Sequence, residues 1–138
     1  MYRRQFSTYE RNMDLHEAYK RVIDNSSFIV LEDVLTKTVN SPAKRFYISS
    51  DRVYGVLVRW DIRGETTKLI SEERQEMYEE IYRRVKLLRE NKKDTVLAHL
   101  IEEVIEQPAP KFYIKPESAK IILCRHKQTL KKQRKVRQ

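Results

Sequence analysis

Apolar residues recur along this chain at helical spacing, and the same succession occurs twice. Leu15, Ala18, Tyr19, Val22 and Ile23 fall at i, i+3, i+4, i+7 and i+8, which places them on one stripe of an α-helix. Tyr78, Ile81, Tyr82 and Val85 repeat that stripe. A second helix is predicted by Leu31, Val34, Leu35 and Val39, and again by Leu97, Leu100, Ile101, Val104 and Ile105. Pro42 and Pro108 follow these helices and end them, because proline lacks an amide donor and drives its predecessor out of the helical region. An extended Phe46-Tyr47-Ile48 comes next, and then a third helix. Ser49 is placed to accept from its free amides, with Asp51 near its positive end, while Pro116 and Glu117 start the corresponding helix of the second copy. Inward faces are predicted at Val53, Val56, Leu57 and Trp60, and at Ala119, Ile122 and Leu123.

The recurrence is an internal repeat. Residues 41–59 and 107–125, at a constant offset of 66, share Pro, Ala, Phe, Tyr, Ile, Leu and Arg. Seven identities in 19 positions exceed the roughly one expected by chance. Upstream, Glu17, Tyr19, Arg21 and Val22 match Glu80, Tyr82, Arg84 and Val85 at an offset of 63, so the second copy carries three extra residues, which belong in a loop.

Composition fits helices with solvated outer faces: charged residues make up 36%, with only two glycines and four prolines in 138 residues. A unit of about 45 residues is marginal alone, so the copies are expected to pack together. The predicted fold class is all-α: two tandem three-helix repeats packed as one compact domain. Its boundaries are a flexible arm over 1–12, repeat 1 over 13–62, a linker over 63–71, repeat 2 over 72–124 and a basic tail over 125–138. Gly64, Thr66 and Thr67 mark the linker, and Ser71-Glu72-Glu73 restarts a helix. The absence of a signal peptide and of any apolar run near 18 residues predicts a cytoplasmic protein, or a phage-encoded one within a bacterial host, with no membrane partner. The single Cys124 aligns with Val58 and is expected to be a small buried hydrophobe.

Charge carries the functional argument. Residues 1–68 hold 12 basic and 9 acidic side chains, 69–124 hold 10 and 11, and 125–138 hold 7 and none, so most of the net +9 sits at the carboxy terminus. Arg125, Lys127, Lys131, Lys132, Arg134, Lys135 and Arg137 are therefore candidate phosphate contacts, releasing counterions on binding. A second cluster, Lys44, Arg45, Ser49, Arg52, Tyr54, Arg59 and Arg63, flanks or lies on the third helix of copy one. Copy two instead carries Glu72, Glu73, Glu76, Glu79, Glu80, Glu102, Glu103 and Glu106, which would repel a phosphate backbone. Tyr2, Arg3, Arg4, Phe6 and Tyr9 could serve an ordering arm for nucleic acid or a neighbouring subunit.

Three helices, the last starting at a capped serine and turning polar residues outward, resemble the helix-turn-helix class over residues 13–62 and 76–127. The resemblance implies a recognition helix near Arg52; the long Asn40–Ile48 connection departs from the usual short turn. The repeated PAxxFYI stretch also resembles small uncharacterised proteins of gut bacteria and their phages or mobile elements, which implies a phage or mobile-element role.

Enzyme chemistry has little support in the sequence. No glycine-rich phosphate loop exists, and His16, His99 and His126 lack metal-ligand spacing. The adjacent pairs Glu79-Glu80 and Glu102-Glu103 point in different directions on a helix and make no acid–base dyad. Tyr47 and Tyr113, the possible nucleophiles, fit structural aromatics better because both copies have them. The expectation is a non-enzymatic protein without cofactor or metal that binds nucleic acid, DNA favoured, as a regulator or packaging-type factor, with a homo-oligomer possible. RNA binding and a virion or assembly role through protein–protein contacts are the alternatives.

Overall fold

The computed structural model describes residues 7–27, 29–69 and 71–137, with side chains as far as residue 134. Six helices account for its regular structure: α1 (Thr8–Asp24), α2 (Leu31–Val39), α3 (Ser50–Arg63), α4 (Glu72–Asn91), α5 (Leu97–Ile105) and α6 (Pro116–Arg137). The all-α class follows directly. Helix starts obey local chemistry: the hydroxyls of Ser7, Ser49 and Ser71 accept from the amides of Glu10, Arg52 and Arg74, and each such cap is worth about 1 kcal/mol. Gly64 closes α3 in the left-handed region at φ 75°, and its amide donates to the carbonyl of Trp60.

The helices group into two compact units, and the grouping does not follow chain order. One unit, residues 44–109, holds α3, α4 and α5; the other, residues 7–43 with 110–137, holds α1, α2 and α6. Helix α3 packs on α4 and α5, and α6 packs on α1 and α2. Each unit thus takes its first two helices from one sequence copy and its third from the other. Packing in chain order, with each copy keeping its own third helix, was the expectation, and the connections explain the difference. Ten residues separate Val39 from Ser50, enough for about 30 Å of extended chain. Within each unit the connection is then fixed by an equivalent hydrogen bond: the Phe46 amide donates to the Ile105 carbonyl at 3.0 Å, and the Phe112 amide to the Val39 carbonyl at 2.9 Å. At an offset of 66 these are the same bond made twice.

In the α3–α4–α5 unit, Trp60 is buried with its ring edge-on to Tyr82 at 5.5 Å and Tyr78 at 6.3 Å. Such aromatic pairs add about 0.5–1.5 kcal/mol beyond their area. The Tyr82 hydroxyl donates to Asp61 at 2.7 Å, and Arg89 pairs with the same carboxylate at 3.0 Å. Arg84 lies over the Phe46 ring at 5.0 Å and donates to the Pro108 carbonyl, so both PAxxFYI stretches supply packing surfaces here. Phe46, Val53, Leu57, Ile81, Val85, Leu100, Ile101 and Val104 complete the core.

The α1–α2–α6 unit buries Leu15, Ala18, Val34, Leu35, Val39, Ala119 and Leu123. At the repeat position of Trp60 it carries His126, equally buried, whose Nε2 lies 3.0 Å from the sulfur of Met13. The rings of His16 and Tyr9 stand 5.3 and 5.7 Å away. Tyr113, in the second FYI stretch, takes φ 59°, a strained value for a bulky residue.

Helix α1 begins at Thr8, so residues 8–12 of the expected arm are helical; Tyr2, Arg3, Arg4 and Phe6 lie outside the described residues. Leu31 is exposed, because it opens α2 before the buried stripe begins, and Thr38 joins that stripe by donating its hydroxyl to the Val34 carbonyl. Cys124 is exposed, since the inward positions of α6 are 119, 123 and 126.

Candidate nucleic-acid interface

The basic carboxy-terminal segment is the second half of a helix. α6 runs 22 residues from Pro116 to Arg137 without an internal glycine or proline, and its later residues are mostly good helix formers. Ala119, Leu123 and His126 form its buried edge, with Leu130 half-buried one turn on. Off that edge Ile122 is half-buried, while Lys120, Arg125, Lys127, Lys131, Lys132 and Arg134 are all exposed. Glu117 is the last acidic residue of the chain. None of these exposed cations pairs with a carboxylate among the described residues. Like charges one turn apart, such as Lys127 and Lys131, destabilise a helix by about 0.2–0.5 kcal/mol per pair. Their favourable position near the helix carboxy terminus offsets part of that. A polyanion laid along the helix would relieve the rest. Lys135 and Arg137 continue α6, but their side chains lie outside the described part.

A second basic surface lies in the other unit. Arg52, Arg59 and Arg63 occupy positions i, i+7 and i+11 of α3, which is one flank of the helix. All three are exposed. The Arg59 Nε donates to the Gly55 carbonyl at 3.1 Å, which folds the guanidinium stem along the helix. Because Trp60 packs on Tyr78, α4 brings Arg74 toward the same flank, one turn before Tyr78. Burial pushes the Tyr78 hydroxyl above its ordinary value, and the positive charge of Arg74, Arg52 and Arg59 opposes that rise. The charges of three arginines from two helices therefore act on one phenol.

Other candidates of this cluster sort differently. Arg45 is buried and its Nε donates to the Phe46 carbonyl, so it stabilises the connection rather than offering a surface contact. Ser49 spends its hydroxyl on capping α3. Tyr54 is exposed but lies about 200° around α3 from Arg52, off the arginine flank. Lys44 is exposed in the connection. Arg74 was missed because the sequence around it is acidic and α4 belongs to the other copy; no one-dimensional signal joins it to Arg52.

The acidic residues of the second copy are partly engaged. Glu80 accepts from Arg83 and lies near Arg84, which together hold its carboxyl below the usual range despite burial, and Lys92 pairs with Glu103 at 3.0 Å. For Asp61, burial pushes the carboxyl up, but hydrogen bonds from Arg89 and Tyr82 with the charges of Arg89 and Lys86 outweigh it and hold it below the usual range. Burial lowers the pKa of His16, reinforced by His126 and Lys20. Among the described residues no three His, Cys, Asp or Glu side chains converge as a metal site, and no helix is long and apolar enough to cross a membrane. An open cleft of about 670 Å³ lies in the α1–α2–α6 unit, lined by Val30, Leu31, Leu35, Thr36, Pro116 and Lys120 with Glu32 and Glu117. Comparison with protein-family models, with curated proteins and with solved structures returned no match.

Proposed function

We propose that the chain is a tandem duplication of a three-helix module, with third helices exchanged between copies, that binds DNA without catalysing a reaction. The observation that carries the reading is α6: one continuous helix whose exposed positions present Arg125, Lys127, Lys131, Lys132 and Arg134, with no acidic residue in the helix beyond Glu117. A rigid rod of unpaired cations suits contacts to phosphate, which position a protein on a duplex and make affinity fall steeply with salt. The exchange supports the duplication reading, since the two interhelix hydrogen bonds of the connections recur at the repeat offset. A role as a regulator or packaging-type factor of a phage or mobile element, acting inside the host cell, is the setting this reading fits.

Titrating a labelled duplex by fluorescence anisotropy at two salt concentrations tests it, using the wild type and a variant with Lys127, Lys131, Lys132 and Arg134 replaced by Gln. Because all four positions are exposed, the fold should persist. The reading expects weaker binding and a shallower dependence on salt, by up to about 0.9 in log–log slope for each phosphate that is no longer neutralised. No binding of duplex at low salt overturns it.

One observation favours a second reading, assembly through protein contacts: Ile29, Val30 and Leu31 are exposed in succession beside the cleft at the start of α2. Concentration-dependent self-association without DNA affinity would select that reading.

A further inference from the structure

Gly55 stands in the middle of α3, where a glycine weakens a helix. Nothing within the described chain requires it. Its backbone is ordinary helix, unlike Gly64, and a β-carbon built there meets no atom within 4 Å. It caps nothing, and no neighbouring element approaches it. Glycine also serves where a backbone must be approached closely by something outside the chain.

The surroundings of Gly55 say what that partner is. Arg52 and Arg59 lie three residues before and four after it, on the adjoining flank of the helix, and Arg74 of α4 stands one turn before Tyr78, whose ring meets Trp60. None of the three pairs with a carboxylate among the described residues. Ile62, two turns on from Gly55 on the same face, is 80% exposed, an apolar side chain suited to a sugar or a thymine methyl. A strip of helix without a side chain at Gly55, whose carbonyl holds the Arg59 Nε and keeps that fork alongside, fits a sugar-phosphate strand, where guanidinium groups bond phosphate oxygens in pairs.

We propose that Gly55 and Ile62, flanked by Arg52, Arg59 and Arg74, form a close-approach site for the backbone of duplex DNA, distinct from the α6 surface. The proposal rests on the DNA-binding reading and adds a second contact, on the other unit, whose centre is an absent side chain. The glycine lets the strand settle against the helix, and the arginines then reach its phosphates from one side.

Gly55→Ala separates this from every structural role, because stability and affinity must move in opposite directions. The variant should melt about 3 °C higher, as expected for alanine replacing glycine in an exposed helix interior. Its duplex affinity should fall roughly tenfold, equivalent to about one charge-assisted hydrogen bond. Gly55→Leu should fall further, and Arg74→Gln should weaken binding with the melting temperature unchanged. Wild-type affinity in both Gly55 variants overturns the proposal, and so does a loss confined to RNA of the same sequence. The α6 charge variant, measured alongside, isolates the failure: if it loses affinity while the Gly55 variants do not, only this inference fails, and if the wild type binds no duplex, both fail.

Discussion

Exchange of the third helices can be tested without a ligand, through one aromatic pair. Trp60 of α3 contacts Tyr82 of α4 at 5.5 Å. If the copies packed in chain order, its partner would be Tyr19, which occupies the position of Tyr82 in the first copy. Replacing Trp60 by Leu should cost about 2–4 kcal/mol, near the range for shrinking a buried aromatic. A double-mutant cycle with Tyr82→Leu should then show a coupling of about 0.5–1.5 kcal/mol, the worth of an edge-on pair. The hydrogen bond from Tyr82 to Asp61 disappears in both backgrounds and cancels to the extent that Asp61 does not move. The parallel cycle with Tyr19→Leu should be additive within about 0.5 kcal/mol. Urea denaturation followed by circular dichroism supplies all six stabilities, and it remains usable when the only tryptophan is removed. Coupling of Trp60 to Tyr19 and not to Tyr82 would refute the exchanged arrangement.

Two further consequences concern stability. Asp61 is held below its usual pKa, so its folded form binds a proton less tightly than the unfolded chain. Its contribution is present above about pH 4 and is lost as pH falls through the folded value. Asp61→Asn should therefore cost about 1 kcal/mol at neutral pH, given a half-exposed ion pair and one hydrogen bond to a charged group, and the gap from wild type should narrow at low pH; an equal gap at pH 3 and pH 7 contradicts the network. Deleting residues 125–138 removes the buried His126 together with the basic positions, so denaturation should register a loss of about 2–4 kcal/mol. The Gln variant of the exposed cations should stay within about 0.5 kcal/mol of wild type per position; a truncated chain as stable as the intact one would mean that His126 contributes no packing.

The helices were legible because each has a strong local cause. Val53, Val56, Leu57 and Trp60 are spaced as an inward face and are all buried, and Ser49, Ser71 and Pro116 mark helix starts as their chemistry dictates. Which helix packs on which was not legible. The two copies present nearly interchangeable apolar faces, so hydrophobic pattern alone cannot distinguish α3 on α2 from α3 on α5; the connection around Phe46 and Phe112 decides it, through hydrogen bonds to carbonyls far away in sequence. The same topology limited the site. Arg52 and Arg59 could be picked out by charge, but Arg74 and Tyr78 reach them only across the exchange, and Arg45 looked like their neighbour while its side chain turns inward. The terminal cations were visible as composition, whereas their division between two flanks of α6, with Lys127, Lys131 and Arg134 on one and Arg125 and Lys132 on the other, follows from Leu123 and His126 being held in the core.

The proposed contact between the α6 cations and a duplex is open to direct measurement. Salt-dependent anisotropy on the wild type and on the Lys127, Lys131, Lys132 and Arg134 to Gln variant tests it directly, with circular dichroism confirming equal helix content. Duplex binding is expected at low salt, weakened in the variant, with a slope shallower by roughly 2 to 3.5. Equal affinity and equal slope for the two proteins, or no binding by either, would contradict it.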